Sequence, residues 1–100
     1  MLHELKTDPD VFTDVYNGLK TFEIRKNDRN FQENDILILQ ETKYSGRSMQ
    51  ESSGLSVGEK MPLVYTGREI KCKVIYILRG PLYGLMNGWV IMSIDILNCS

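Results

Sequence analysis

Lys20-Thr21-Phe22-Glu23-Ile24-Arg25-Lys26-Asn27-Asp28-Arg29 carries six charged residues in ten, yet Phe22 and Ile24 alternate through its first half. Alternation at period two predicts a strand over Lys20–Lys26 with one apolar face turned to a core. The same pleat sends Thr21, Glu23 and Arg25 together to the opposite face. A carboxylate and a guanidinium two residues apart on one face stand close enough to organise a polar pocket. They equally suit a salt-bridged face that merely meets solvent, and spacing alone favours that plainer outcome. Lys20 marks the strand entrance. Lys26, Asp28 and Arg29 mark its exit, where Asn27-Asp28-Arg29-Asn30 has the composition of a turn.

Outward from this strand, His3 to Lys6 predicts a short strand, and Asp8-Pro9-Asp10 reads as a helix start. Asp8 suits the cap, Pro9 the first helical position, and Asp10 the positive end of the helix dipole. Val11, Phe12, Val15, Tyr16 and Leu19 recur at helical spacing, and Asn17-Gly18 closes the helix. Downstream, Phe31 is placed as a core anchor for its loop, and Asn34-Asp35 turns the chain into Ile36-Leu37-Ile38-Leu39, a run suited to a central strand. Residues 43–60, rich in Ser, Gly and charge, predict a long flexible loop or a flap over a site. Met61–Tyr65 and Arg68–Leu78 flank Thr66-Gly67 as a hairpin, with Pro62 placing the first arm at an edge. Gly80-Pro81-Leu82-Tyr83-Gly84 breaks the chain, and Asn87-Gly88 leads into a last strand, Trp89–Leu97. One helix with five or six short strands gives a mainly β, α+β domain spanning 1–100. Varied loops favour a small curved sheet or barrel over a βαβ fold.

Bulk composition narrows the function classes. A net charge of −1 supplies no global field toward nucleic acid or an anionic membrane, so any such contact needs a local patch. The first residues lack a signal peptide's apolar run, and no segment is long enough to span a bilayer, which predicts a cytoplasmic protein without membrane partners. Cys72 and Cys99 are too few and too far apart for a zinc ribbon or redox pair, and Cys72 shares strand parity with Ile70 and Val74 as a core residue. His3 is the sole histidine, so no metal and no cofactor are expected. Terminal position places His3 at the surface or loosely packed. Tyr76 and Trp89 are placed in the core as large aromatics. Arg68 reads as a turn or edge charge. Lys71 and Lys73 suit either a phosphate track or the blocking of an exposed edge.

The spacing Gly18-x-Lys20-x-x-Glu23-x-Arg25 resembles the signature of the ASCH domains of the PUA-like superfamily. The wider pattern is closer to DUF3850, a subfamily of small bacterial and phage ASCH-like proteins of unknown function. It runs His3-x-Leu5-Lys6, then Gly18-x-Lys20 through Arg29-x-Phe31, Asp35-Ile36-Leu37, Tyr65-Thr66-Gly67-Arg68, Tyr76-Ile77-Leu78 and a Gly-Pro…Gly-Leu loop. Two departures stand out. Asn34 replaces the usual Gly, which Asn tolerates in a left-handed backbone, and the 43–61 segment is longer than usual.

The resemblance implies a PUA-like pseudobarrel with an N-terminal helix packed beside it, binding RNA, a modified nucleotide or a nucleoside. Carried over, it makes Lys20, Glu23 and Arg25 the pocket floor and tips the balance away from a merely solvated face. Arg25 offers a planar donor fork to a phosphate or base edge. Glu23 accepts from a base amine, and Lys26, Asp28, Arg29, His3 and Lys6 stand near by. Tyr83 and Trp89 are stacking candidates. Two other classes compete. Some ASCH proteins are amidohydrolases that deacetylate acetylated cytidine with a lysine, a threonine and a glutamate. Lys20 matches the lysine, but Glu23 stands at the threonine position and Thr21 is displaced from it, so turnover is the less favoured outcome. The third class is a phage or mobile-element accessory protein whose surface binds a host protein.

Overall fold

The computed structural model describes residues 1–45 and 63–100. Its elements run β1 (Leu2–Thr7), α1 (Pro9–Tyr16), β2 (Phe22–Lys26), β3 (Ile36–Thr42), β4 (Tyr65–Arg79) and β5 (Trp89–Cys99). The five strands form one sheet in the order β1-β3-β4-β5-β2. Only β1 and β3 run parallel; every other pair is antiparallel. The sheet curls into a half-barrel that leaves β1 and β2 as facing edges, with α1 as the one helix among the described residues. Among the described residues, no helix is long and apolar enough to cross a membrane.

Inward-facing side chains from four strands and the helix make the core, including Leu5, Phe12, Leu37, Leu39, Val74 and Met92. Phe31 and Cys72 are buried with them, as the parity of Cys72 predicts. The helix has Asp8 at its N-cap position, without a side-chain capping bond, and Pro9 in its first turn. Gly18 follows the C-cap with φ +76, the left-handed conformation that costs glycine nothing. Because the helix ends at Tyr16, Leu19 lies beyond its apolar face and is exposed.

Several expectations are overturned. Thr66-Gly67 makes no hairpin; β4 passes straight through it, and Tyr65 pairs with Thr42 on β3. A register shift opposite, between Gln40 and Thr42, and φ +93 at Gly67 absorb the irregularity without reversing the chain. Met61 and Pro62, the start of the expected first arm, and most of the expected 43–60 loop fall outside the described residues. Arg68 is no simple edge charge: its guanidinium lies 5.1 Å from the Phe12 ring and 5.0 Å from the Tyr16 ring. It also faces Glu41 at 3.6 Å, so it ties the helix to β3. Tyr76 is exposed, because a register shift between Val74 and Tyr76 puts it on the sheet's outer face opposite Ser93.

His3 is buried, at 6% exposure, rather than a loose terminal residue. Strand parity points it inward beside Leu5 and Thr7, where its ring meets Phe31 edge-on at 4.8 Å. Its Nε2 lies 2.9 Å from Asp35 Oδ2, which also accepts the Gln32 N–H at 3.0 Å, while Oδ1 accepts from the Met1 ammonium at 3.0 Å. Burial, the largest single influence, pushes the Asp35 carboxyl up. The donors from His3, Met1 and Gln32 together outweigh it and leave the pKa below its ordinary value. A carboxylate held down in this way stabilises the fold above its unfolded pKa, and that contribution is lost as pH falls through the folded one. Asp35→Asn is expected to lower stability at neutral pH by roughly 2 kcal/mol in urea melts. Parent and variant should then converge on acidification below the ordinary aspartate range. Curves that stay parallel down to strong acid would show that Asp35 carries no such linkage.

Candidate functional site

Strand β2 presents its polar side to the inside of the half-barrel. Glu23 pairs in register with Met92, and Met92 pairs with Ile77; both neighbours face the core. Glu23 is therefore only 2% exposed, while Phe22 and Ile24 are 43% and 47% exposed on the outer face. This inverts the orientation predicted from the alternation of apolar residues. The reason is partnership: a buried carboxylate persists only where donors surround it. Lys20 Nζ donates to Glu23 Oε1 at 2.7 Å, and Arg25 Nε donates to Oε2 at 3.0 Å. Lys20 also donates to the Phe22 carbonyl at 2.6 Å and stands 5.0 Å from the Phe22 ring.

The same side chains close the gap between the sheet edges. Arg25 Nη2 donates to the Lys6 carbonyl at 2.9 Å, and Arg29 Nη1 donates to the Glu4 carbonyl at 2.8 Å. These two carbonyls lie along the open edge of β1, where an unpaired acceptor would otherwise wait for a donor. Guanidinium groups thus stand in for the backbone ladder that β1 and β2 do not form. The turn after β2 is fixed by Asn27 Oδ1, which accepts the Phe31 N–H at 2.9 Å, and by Asn30 with φ +50.

Between β1, β2 and the start of α1 lies a cavity of about 540 Å³. Of the residues expected at a site, it brings together Lys6, Lys20, Glu23, Arg25, Lys26, Asp28 and Arg29. It does not include His3, which is held in the core behind Phe31 by Asp35, nor Tyr83, which lies at the tip of the β4–β5 connection. Thr21 is also absent from the wall: it precedes β2 and is exposed. Lys71 and Lys73 alternate with buried Ile70, Cys72 and Val74, which puts them on the outer face, away from the cavity. Trp89 is a wall residue rather than a core one, since it ends the ladder opposite Lys26 at the rim. Thr7 and Asp8 line the cavity as well, although the sequence pointed to Asp8 only as a helix cap and to Thr7 not at all. The inward parity of Thr7 and the proximity of Asp8 to the motif's strand neighbour, Lys6, are the signals that could have found them.

Beneath the site, burial pushes the Cys72 thiol up to about 12, the Glu23 carboxylate adding to the shift and Lys20 opposing it. A thiol so placed stays protonated and inert. A family model described as a domain of unknown function, DUF3850, matches residues 2–94. A search of curated proteins gives no match.

Glu23→Ala is expected to cost about 3 kcal/mol in urea unfolding, because it strands two cations whose partner is gone, whereas Glu23→Gln should cost less. An unchanged midpoint for Glu23→Ala would remove the carboxylate from its structural role. A thiol reagent should label exposed Cys99 promptly and Cys72 only as fast as the domain opens; equal rates would contradict its burial.

Proposed function

Since this chain belongs to the DUF3850 family, whose shared description assigns no activity, its function has to be read from its own residues. We propose that it binds RNA or a nucleotide-like ligand in the cavity centred on Lys20, Glu23 and Arg25, as a cytoplasmic domain of the ASCH type and PUA-like kind. The observation that carries this reading is the charge of the cavity wall. Lys6, Lys20, Arg25, Lys26 and Arg29 line it together with three acidic residues, Asp8, Glu23 and Asp28, in a protein whose overall charge is −1. Glu23 consumes part of that excess in holding Lys20 and Arg25, so the surplus lies at the rim with Lys6, Lys26 and Arg29. A local cationic surplus on a nearly neutral protein favours an anionic ligand.

The volume falls in the usual range for small-molecule sites, and Trp89, Leu5 and Val11 add an apolar portion to the wall. Phosphate oxygens suit the rim cations, and a planar base suits the indole. In this assignment Glu23 is a positioning residue: both of its oxygens are already engaged, and its work is to aim the Lys20 and Arg25 donors.

Fluorescence anisotropy with short single-stranded RNA, and calorimetry with nucleoside monophosphates, test the reading. Arg25→Ala and Lys6→Ala should each weaken binding by roughly tenfold or more, with circular dichroism showing a folded domain. Glu23→Gln should weaken it less. Affinity for RNA should fall with salt, at a log–log slope of about −0.7 for each neutralised phosphate. Variants that bind like the parent, or affinity indifferent to salt, would set the proposal aside.

A further inference from the structure

The connection between β4 and β5 is built in a way the cavity alone does not explain. Tyr83 at its tip is 89% exposed, and its backbone has φ +49, a conformation that bulky residues seldom adopt. The loop that holds it there is well tied. Leu82 and Leu85 exchange backbone hydrogen bonds, Gly80 N–H donates to the Trp89 carbonyl, and Trp89 N–H donates to the Met86 carbonyl. A Cβ at Gly80 would collide with the Met86 carbonyl, so the loop folds back onto a position only glycine fits. Gly84 takes the left-handed φ of +85 directly after Tyr83.

The base of this loop joins the cavity. Asn27 N–H, in the turn between Lys26 and Asp28, donates to the Gly88 carbonyl at 2.8 Å, and the next residue, Trp89, is part of the cavity wall. A solvent-facing aromatic residue on a well-tied stretch of backbone therefore stands at the same end of the sheet as the cationic rim. A single nucleotide in the cavity leaves that ring unused. An anionic polymer with planar units uses both features, because each base offers a π-face and each phosphate a charge.

Resting on the proposed reading of the cavity, we propose that Tyr83 forms a second subsite on which the neighbouring base of a single-stranded nucleic acid stacks. The preferred ligand is then an oligonucleotide segment rather than a mononucleotide.

Calorimetry with the parent protein, the four ribonucleoside 5′-monophosphates and the corresponding 5′-phosphorylated homodinucleotides tests this directly. The best dinucleotide should bind roughly tenfold tighter than its mononucleotide. Tyr83→Ala should erase that gain and leave mononucleotide affinity unchanged, and Tyr83→Phe, which keeps the ring, should retain the gain. Three results overturn the subsite: dinucleotides no tighter than mononucleotides, a gain that survives Tyr83→Ala, or equal weakening of both ligands in that variant. Binding of mononucleotides with no gain in length sinks the subsite and spares the cavity reading. Absence of binding to any of these probes sinks both.

Discussion

Arg25 is the side chain on which the open form of this sheet depends. Its Nε donates to Glu23 on its own strand, and its Nη2 donates across the gap to the Lys6 carbonyl. Among the described residues, the strand order leaves β1 and β2 without a neighbouring strand on one side each. Direct pairing of these edges would have produced a closed barrel and filled the space between them. A guanidinium reaches farther than a peptide group, so it satisfies the edge while holding the strands apart. The cavity is the space that this longer connection preserves, and Arg29 repeats the device one step along at Glu4.

That arrangement explains the inverted polarity of β2. Burying Glu23 is costly unless the charge is paired on both oxygens, and Lys20 and Arg25 meet that condition. Once the charged face turns inward, Phe22 and Ile24 have only the outer face to occupy, where β5 and β4 place Ile91 and Leu78 in line with Ile24. The strand thus carries its polar pattern toward a cavity and its apolar pattern toward solvent, the reverse of the ordinary antiparallel arrangement.

Asp35 performs the corresponding service at the N-terminal end of the parallel β1–β3 pair. It gathers His3, Gln32 and the Met1 amine around a single carboxylate, and His3 in turn supports Phe31, which reaches the cavity wall. Of the two paired carboxylates, Glu23 therefore stands in the cavity wall itself, and Asp35 supports that wall from behind through His3 and Phe31. The difference is in surroundings: around Glu23 the cations extend to an open rim, whereas Asp35 is enclosed by the fold itself.

Local rules were enough for much of this. The start of the helix at Pro9, its end before Gly18, the central strand from Ile36, the tolerance of Asn34 for φ +73 and the burial of Cys72 all follow from turn chemistry and periodicity. Strand parity likewise put Glu23 and Arg25 on one face, and this much of the site was written in the chain. Parity fixes which residues share a face, but not which face is inside. That was decided by distant partners: Met92 and Ile77 beside Glu23, the Lys6 carbonyl opposite Arg25, Asp35 against His3, and Thr42 against Tyr65. Such contacts join residues far apart in sequence, and their energies depend on burial and donor geometry that exist only once the sheet has curled. The sequence by itself determined a set of charged and apolar faces; the tertiary structure decided that the charged face of β2 would line a cavity, because there both oxygens of the buried Glu23 carboxylate found their partners.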